Sequence, residues 1–302
     1  MSNKTAGASS LAAQADASEL SLALSEVRRQ LTAEVKIRRD RIKPMEQALR
    51  ALKNPHANAV ALYEASLALQ QPAEGLALPK GYQALANTLR EFADAQVSEL
   101  EFTFARDLRA AFKEQGITLT GSPTKLIADL FVIEPDLRKK QVYITFARQP
   151  AAAKKIKLDV EQVLAAYVRA RRDICERKVD LKALIAELFE AYQRLLKLSG
   201  KAIGTRVGIV ECYRELVLVR QPLSFRRTPS RQSFVDYPKT HFVYDMLELR
   251  QKNQLTHEGH RLNLGTATIE VTGDSTRAIF LATGATEGQF IKDIYFVSEK
   301  AK

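Results

Sequence analysis

The spacing of apolar residues predicts long helices in the first third of the chain. Leucine and valine recur every three or four residues over 20–35, and a similar stripe resumes over 42–52, which is typical of an amphipathic helix. We predict a helix over 18–53 that kinks or divides near Pro44, because proline lacks an amide hydrogen and its ring crowds the preceding turn. The apolar repeat is too irregular and too short to predict a dimeric coiled coil.

Two further helices are predicted downstream. Asn54-Pro55 is a typical start, since asparagine caps a helix and proline fits its first position. This short helix ends before Pro72, and a second long helix covers 82–115 until Gly116 terminates it. These elements predict a long-helix hairpin or bundle over 18–120.

The hydrophobic period changes after this helical region. Short β-prone runs at 126–133 and 141–146 flank the polar segment 134–140, which contains Pro-Asp and three basic residues. Such turn chemistry between two apolar runs predicts a β-hairpin with a basic turn.

Two helices are predicted behind the hairpin. Asp159 with Gln162 three residues later resembles a capping box that opens the first of them. A break near Asp180 starts the second, which ends at Gly200. We therefore predict a second region, over 121–200, made of the basic hairpin plus helices.

The last third is predicted to be rich in strands. We expect a strand over 207–220, a long loop over 223–239 and a helix over 241–252. Three strands over 262–272, 277–283 and 289–298, separated by glycine-containing turns, predict an antiparallel β-meander. The predicted fold class is α+β, with 201–302 as a β-rich C-terminal region.

Charge is concentrated along the chain rather than spread evenly. The net charge is +11, whereas 35–43, 138–157 and 194–231 carry +4, +7 and +7, so the remainder is acidic overall. Basic segments of this kind favour phosphate contacts, which supply most non-specific affinity for nucleic acid. The leading hypothesis is a non-enzymatic subunit that binds DNA or RNA.

The candidate phosphate contacts come from all three segments. The loop between Phe225 and Phe234 combines arginines with aromatic rings that could stack on bases, although a mobile linker is the alternative there. An arginine near the apolar seam of the first helix could mark a contact with another molecule, and a solvated helix face is the alternative. The candidates are Arg38, Arg39, Arg41, Arg138, Lys139, Lys140, Lys154, Lys155, Arg226, Arg227 and Arg231.

Two other function classes remain open. One is an adaptor or assembly subunit of a larger complex that docks protein partners through its long helices. The other is a metal-dependent nuclease, for which Asp136 with the downstream Glu176-Arg177-Lys178 and Asp180-Leu181-Lys182 would supply carboxylates and lysines. Those triplets fall in a helical pattern, so this alternative ranks last.

The remaining sequence features predict no prosthetic chemistry. Cys175 and Cys212 lie in apolar segments and suggest no disulfide framework. His257 and His260 lack the spacing and further ligands of a zinc site. We expect no catalytic residues, metal or cofactor, and no contact with a membrane. Residues 1–17 lack the apolar core of a secretory signal, which predicts a flexible tail and a cytoplasmic location.

Overall fold

The computed structural model describes residues 17–72, 78–152 and 155–299, and the chain divides into two compact units. Unit 1 comprises Met1–Phe102 and unit 2 comprises Thr103–Lys302. The predicted α+β class is confirmed, with long helices first, then a central antiparallel sheet and a C-terminal antiparallel sheet. Apart from Ala17, the predicted tail lies outside the described residues. Within the described ranges, no helix combines the length and apolar character required to span a membrane.

Unit 1 is built from helices. They are α1 (Ala17–Ala51), α2 (Ala59–Gln70) and the first part of α3 (Tyr82–Glu114), which crosses the unit boundary. A small apolar cluster of Leu69, Tyr82 and Ala86 packs with Met45 and Leu89. The long α3 ends as predicted, with Gly116 at φ 73°.

Two boundaries in unit 1 differ from the predictions. The helix α1 runs through Pro44 without dividing, and Pro44, Ala48 and Ala51 are buried on a helix that packs along α2. Packing of this face against α2 thus compensates for the loss of the backbone hydrogen bond that proline cannot form. The predicted cap forms, since the Asn54 side chain accepts a hydrogen bond from the Ala57 amide at 3.3 Å, but residues 55–58 form turns and the helix does not start at Pro55. It starts instead at Ala59.

The central sheet of unit 2 follows α3. Its strands are β1 (Thr120–Ser122), β2 (Lys125–Ala128), β3 (Phe131–Asp136), β4 (Gln141–Phe146), β5 (Gln149–Pro150) and β6 (Ile156–Lys157). They pair in the order β1-β2-β3-β4-β5, and β6 also pairs with β4. The predicted basic hairpin is confirmed as β3–β4, with Asp136 opposite Gln141. The predicted run 126–133 is divided by a turn in which Asp129 has φ 50°.

The two helices behind the hairpin begin where the capping residues predicted. They are α4 (Val160–Ile174) and α5 (Leu181–Ser199). The Asp159 carboxylate accepts a hydrogen bond from the Gln162 amide at 2.9 Å, and Asp180 caps α5 in the same way. Gly200 ends α5 with φ 62°.

The predicted strand over 207–220 is wrong. Only β7 (Val207–Gly208) is extended, and α6 (Ile209–Val219) follows at once. Ile209, Cys212 and Leu216 are buried at helical spacing in a helix that packs on α5. The β-branched composition favours a strand locally, but burial of this face against α5 outweighs that weak preference.

The predicted loop over 223–239 is partly helical. It contains α7 (Leu223–Arg227) and leads into α8 (Lys239–Gln251), the helix preferred for this stretch. The buried Gln221 side chain donates to the Val235 carbonyl and accepts from the Val235 amide, both at 2.9 Å. This pair of bonds closes the loop at its base.

The C-terminal sheet is antiparallel as predicted, and its strand order is not sequential. It consists of β8 (Thr256–His257), β9 (His260–Thr266), β10 (Ile279–Ala282) and β11 (Gly288–Ser298), with the short helix α9 (Ile269–Thr272) between β9 and β10. The order is β10-β11-β9-β8, with β7 also pairing with β11. The strand predicted over 262–272 therefore ends at Thr266. One apolar core extends from Ala105 to Phe296 and includes side chains from both 121–200 and 201–302.

Candidate nucleic-acid interface

The turn between β3 and β4 presents three consecutive cations. Arg138, Lys139 and Lys140 are all exposed. The Asp136 carboxylate organises the turn, since it accepts the Lys139 amide at 3.0 Å and pairs with the Lys139 ammonium at 3.1 Å. Partial burial opposes ionisation of Asp136, yet these contacts with Lys139 lower the pKa of the carboxyl below its usual 3.8. The turn is therefore a structured basic element.

Strand β6 and the residue that precedes it bring two more lysines, Lys157 and Lys155, beside this turn. Gln141, the first residue after the turn, lies opposite Lys157, and Val142 lies opposite Ile156. Residues directly opposite in an antiparallel pair have Cα atoms about 4.5–5.5 Å apart. Side chains alternate along a strand, so Lys155 and Lys157 share the exposed face while Ile156 is buried. The register thus places two separated parts of the basic segment side by side.

A groove continues from Lys155 to α4. It has a volume of about 550 Å³, and four alanines from the β5–β6 connection and α4 form much of its lining. Lys155 borders it from the strand side, and Arg169 borders it from α4. Asp173, at the same groove, lies 3.3 Å from the imidazole of His241. We define the cationic strip as Arg138, Lys139, Lys140, Lys155, Lys157 and Arg169.

Sequence reasoning did not identify Arg169. The signal that could have found it is its position on α4, where Ala166, Arg169 and Asp173 are spaced at three and four residues. They line the groove, whereas Val163, Tyr167 and Ile174 are buried in the core. Lys154, which precedes Lys155, lies outside the described residues.

The arginine-containing loop after α6 makes internal contacts. Phe225 and Phe234 pack edge to face with centroids 5.5 Å apart, so the two rings contact each other. Arg226 donates a hydrogen bond back to the Val219 carbonyl at the end of α6. Arg227 and Arg231 are exposed on this loop.

The candidates on α1 belong to unit 1. Arg38 and Arg39 are exposed. The Arg41 guanidinium donates to the carbonyls of Ala68 at 3.0 Å and Leu69 at 3.2 Å, and to that of Pro72. Arg41 thereby satisfies the free carbonyls at the C-terminus of α2, a favourable place for a cation.

A second concentration of charge in unit 2 is buried. The fully buried Asp245 carboxylate accepts hydrogen bonds from Arg177 and from the Tyr237 hydroxyl, the latter at 2.7 Å. Arg220 stacks 4.1 Å from the Tyr237 ring centroid and lies 3.3 Å from a Glu187 oxygen. Burial raises the pKa of Glu187 although Arg220 opposes this, and burial together with Asp245 raises the pKa of Tyr237.

This buried cluster holds elements together. Asp245 lies on α8, and both of its oxygens accept hydrogen bonds from other segments, one from Arg177 after α4 and one from Tyr237 in the loop before α8. The signal in the sequence is an aspartate among the apolar residues Phe242, Met246 and Leu249 of α8.

Several of the carboxylates and histidines considered in the sequence make contacts within the fold. Among the described residues, no group of three or more His, Cys, Asp or Glu side chains is placed to hold a metal ion. Two of the nuclease candidates have structural contacts, since Asp136 organises the basic turn and Asp180 caps α5. His257 and His260 pack on the Phe189 ring.

The two thiols are poor nucleophiles at neutral pH. Burial raises the pKa of both Cys175 and Cys212 to about 12. The protonated thiol is not the nucleophilic form.

No family model, no curated protein and no solved structure matches this chain.

Proposed function

We propose that the protein is a non-enzymatic nucleic-acid-binding subunit whose cationic strip contacts the phosphate backbone. The observation that carries this proposal is the β4–β6 register, which sets Lys157 beside the Arg138–Lys140 turn. Cations on three neighbouring elements can neutralise successive phosphates, and the counterions released then supply the free energy of binding.

The groove adds a second site for the backbone. A phosphate that enters between β6 and α4 can contact Lys155 from one side and Arg169 from the other. Lysine and arginine contacts to phosphate position a nucleic acid without reading its sequence. We therefore propose binding that depends strongly on salt and weakly on sequence.

Fluorescence anisotropy of labelled single- and double-stranded DNA and RNA at about 50 and 200 mM salt tests the proposal. Replacing Arg138, Lys139 and Lys140 with alanine should weaken binding at least about tenfold at the lower salt concentration. The slope of log K against log salt should fall by about one for each phosphate that the variant no longer neutralises. All sequences should be affected alike.

The matched control removes the same charge elsewhere. Lys182, Lys197 and Lys201 are exposed on or just after α5, a helix that packs on α6, α8 and the C-terminal sheet. Their triple alanine variant should keep most of the affinity. Equal losses in both variants would show that net charge alone matters, and absence of wild-type binding at about 50 mM salt would overturn the proposal.

A second candidate function is assembly with protein partners through the long helices. The observation that favours it is an exposed row of apolar side chains on α1, including Leu24, Leu31 and Val35. Exposed contiguous apolar surface of this kind marks interaction sites. Charged substitutions on this row should abolish a co-purifying complex and leave nucleic-acid binding by isolated chains unchanged.

A further inference from the structure

The continuity of α1 through Pro44 joins two short apolar stripes into one. A series with a period of seven then runs along the helix, and a second series four residues out of phase accompanies it. The first series is Leu24, Leu31, Arg38, Met45 and Leu52, and the second is Arg28, Val35, Ile42 and Leu49. With the second series at heptad position a and the first at position d, valine and isoleucine at a with leucine at d favour two parallel strands.

Most of these heptad positions are exposed. The exposed fractions are 69% for Leu24, 58% for Leu31, 64% for Val35, 51% for Ile42 and 67% for Leu49. The helix α2 packs along α1, where Pro44, Ala48 and Ala51 are buried on a neighbouring face. These five exposed positions span about 38 Å of helix, at about 1.5 Å per residue, whereas Met45 between Ile42 and Leu49 packs in the apolar cluster of unit 1.

Charges beside the row match those of an identical helix. In a parallel coiled coil, position g of one helix faces position e of the other, five residues further along the chain. Glu34 at g would face Arg39 at e of a second copy, and Arg41 at g would face Glu46 at e. Both pairs are of opposite charge and each forms twice by symmetry. Arg41 also donates to carbonyls of α2, so Glu34–Arg39 is the cleaner pair.

The C-terminal end of the row borders an apolar groove within unit 1. The groove has a volume of about 260 Å³ and lies between Leu49 and Leu52 on one side and Leu85 and Leu89 on the other. A second helix lying along the row would also cover this groove and remove more apolar surface from water.

We propose that α1 pairs with α1 of a second copy, parallel and in register from Leu24 to Leu49, as a two-stranded coiled coil. The self-complementary g-to-e charges favour an identical helix over an unrelated partner. Arg28 at an a position and Arg38 at a d position lie inside this seam, where polar residues cost stability and restrict register and strand number. The pairing is independent of nucleic-acid binding.

Molar mass from light scattering of the full chain tests the pairing. The wild-type chain should have the mass of two chains at about 10 µM, and Leu31→Asp should reduce it to that of one. The matched control is Leu22→Asp, because Leu22 is 71% exposed on α1 but lies off the row. The Leu22→Asp variant should remain a dimer. Circular dichroism should show that unit 2 remains folded in both variants.

A charge-swap experiment tests register and direction. Glu34→Arg alone and Arg39→Glu alone should each weaken dimerisation at least about tenfold, because both place like charges across the seam. An equimolar mixture of the two variants should restore the dimer, since every g-to-e pair in the mixed species is again of opposite charge. Arg38→Leu should strengthen the dimer by about tenfold or more, because it replaces a charge in the seam with leucine.

Each contrary result would overturn a stated part of the proposal. The dimer would be excluded if the wild-type chain had the mass of one chain at about 100 µM. Any association would then be weaker than expected for a specific pairing of this kind. Equal loss of dimer in Leu22→Asp and Leu31→Asp would exclude this row as the interface. A mixture of charge variants that stays dissociated would exclude the parallel in-register arrangement.

Discussion

The helices α1 and α5 have similar apolar stripes, but the stripe of α5 is buried and that of α1 is exposed. On α5, Leu184, Leu188 and Tyr192 are buried in the core of unit 2. On α1, Leu24, Leu31 and Val35 recur at comparable spacing and are more than half exposed. The difference shows that periodicity predicts a helix and its apolar face, whereas it does not predict what covers that face.

The two units also differ in how deeply their charged side chains are buried. In unit 2, the buried Asp245 carboxylate contacts Arg177 and Tyr237, whereas the Arg29–Glu26 ion pair of unit 1 lies at the surface. A buried ion pair is costly to break because the remaining partner stays desolvated, and a surface pair contributes little. This contrast between buried and exposed groups can be tested with substitutions, given below from the largest expected change in the free energy of unfolding to the smallest.

The largest effect is expected from Asp245→Ala in unit 2. It leaves Arg177 and the Tyr237 hydroxyl without their acceptor and should lower the free energy of unfolding by about 3–5 kcal/mol. Urea denaturation followed by circular dichroism measures the change. The control is Asp173→Ala, because Asp173 is exposed and should change stability by about 1 kcal/mol or less. Similar losses for both would contradict the role of burial.

A smaller effect tests the apolar stripes directly. Leu188→Ala on α5 removes a fully buried side chain and should cost about 2–5 kcal/mol. Two controls replace exposed leucines, Leu198 on the same helix and Leu22 on α1. Each should change the free energy of unfolding by about 0.5 kcal/mol or less. A large loss in either control would show that exposure in the folded chain does not decide the cost.

The smallest effect concerns the basic turn and depends on pH. The folded-state pKa of Asp136 is lowered below 3.8, so its ionised form stabilises the turn above that value, and this contribution is lost as pH falls through the folded-state pKa. The unfolding free energies of wild type and Asp136→Asn should differ most near about pH 6 and converge near about pH 2 to 3. A difference that grows as pH falls would contradict the assigned direction.

The candidate site residues fall into two groups. Some were predictable from one short stretch of sequence, and others come together only through tertiary packing. The basic turn was predictable because Pro-Asp and three cations lie within one hairpin. The approach of Lys157 to that turn depends on strand register, and Arg169 joins the groove only because α4 packs beside β6. Neither relation has a signal within a short stretch of sequence.

Elements whose ends depend on neighbouring residues were predictable from the sequence. Asp159 and Asp180 cap helices with their own side chains, and Gly116 and Gly200 end helices because they adopt positive φ without strain. Three other features depend on long-range packing: 209–219 is a helix, α1 continues through Pro44, and Asp245 is buried beside Arg177 and Arg220. Capping energies act within one turn of chain, whereas burial is decided by residues far apart in sequence, and where the two compete the larger burial term prevails.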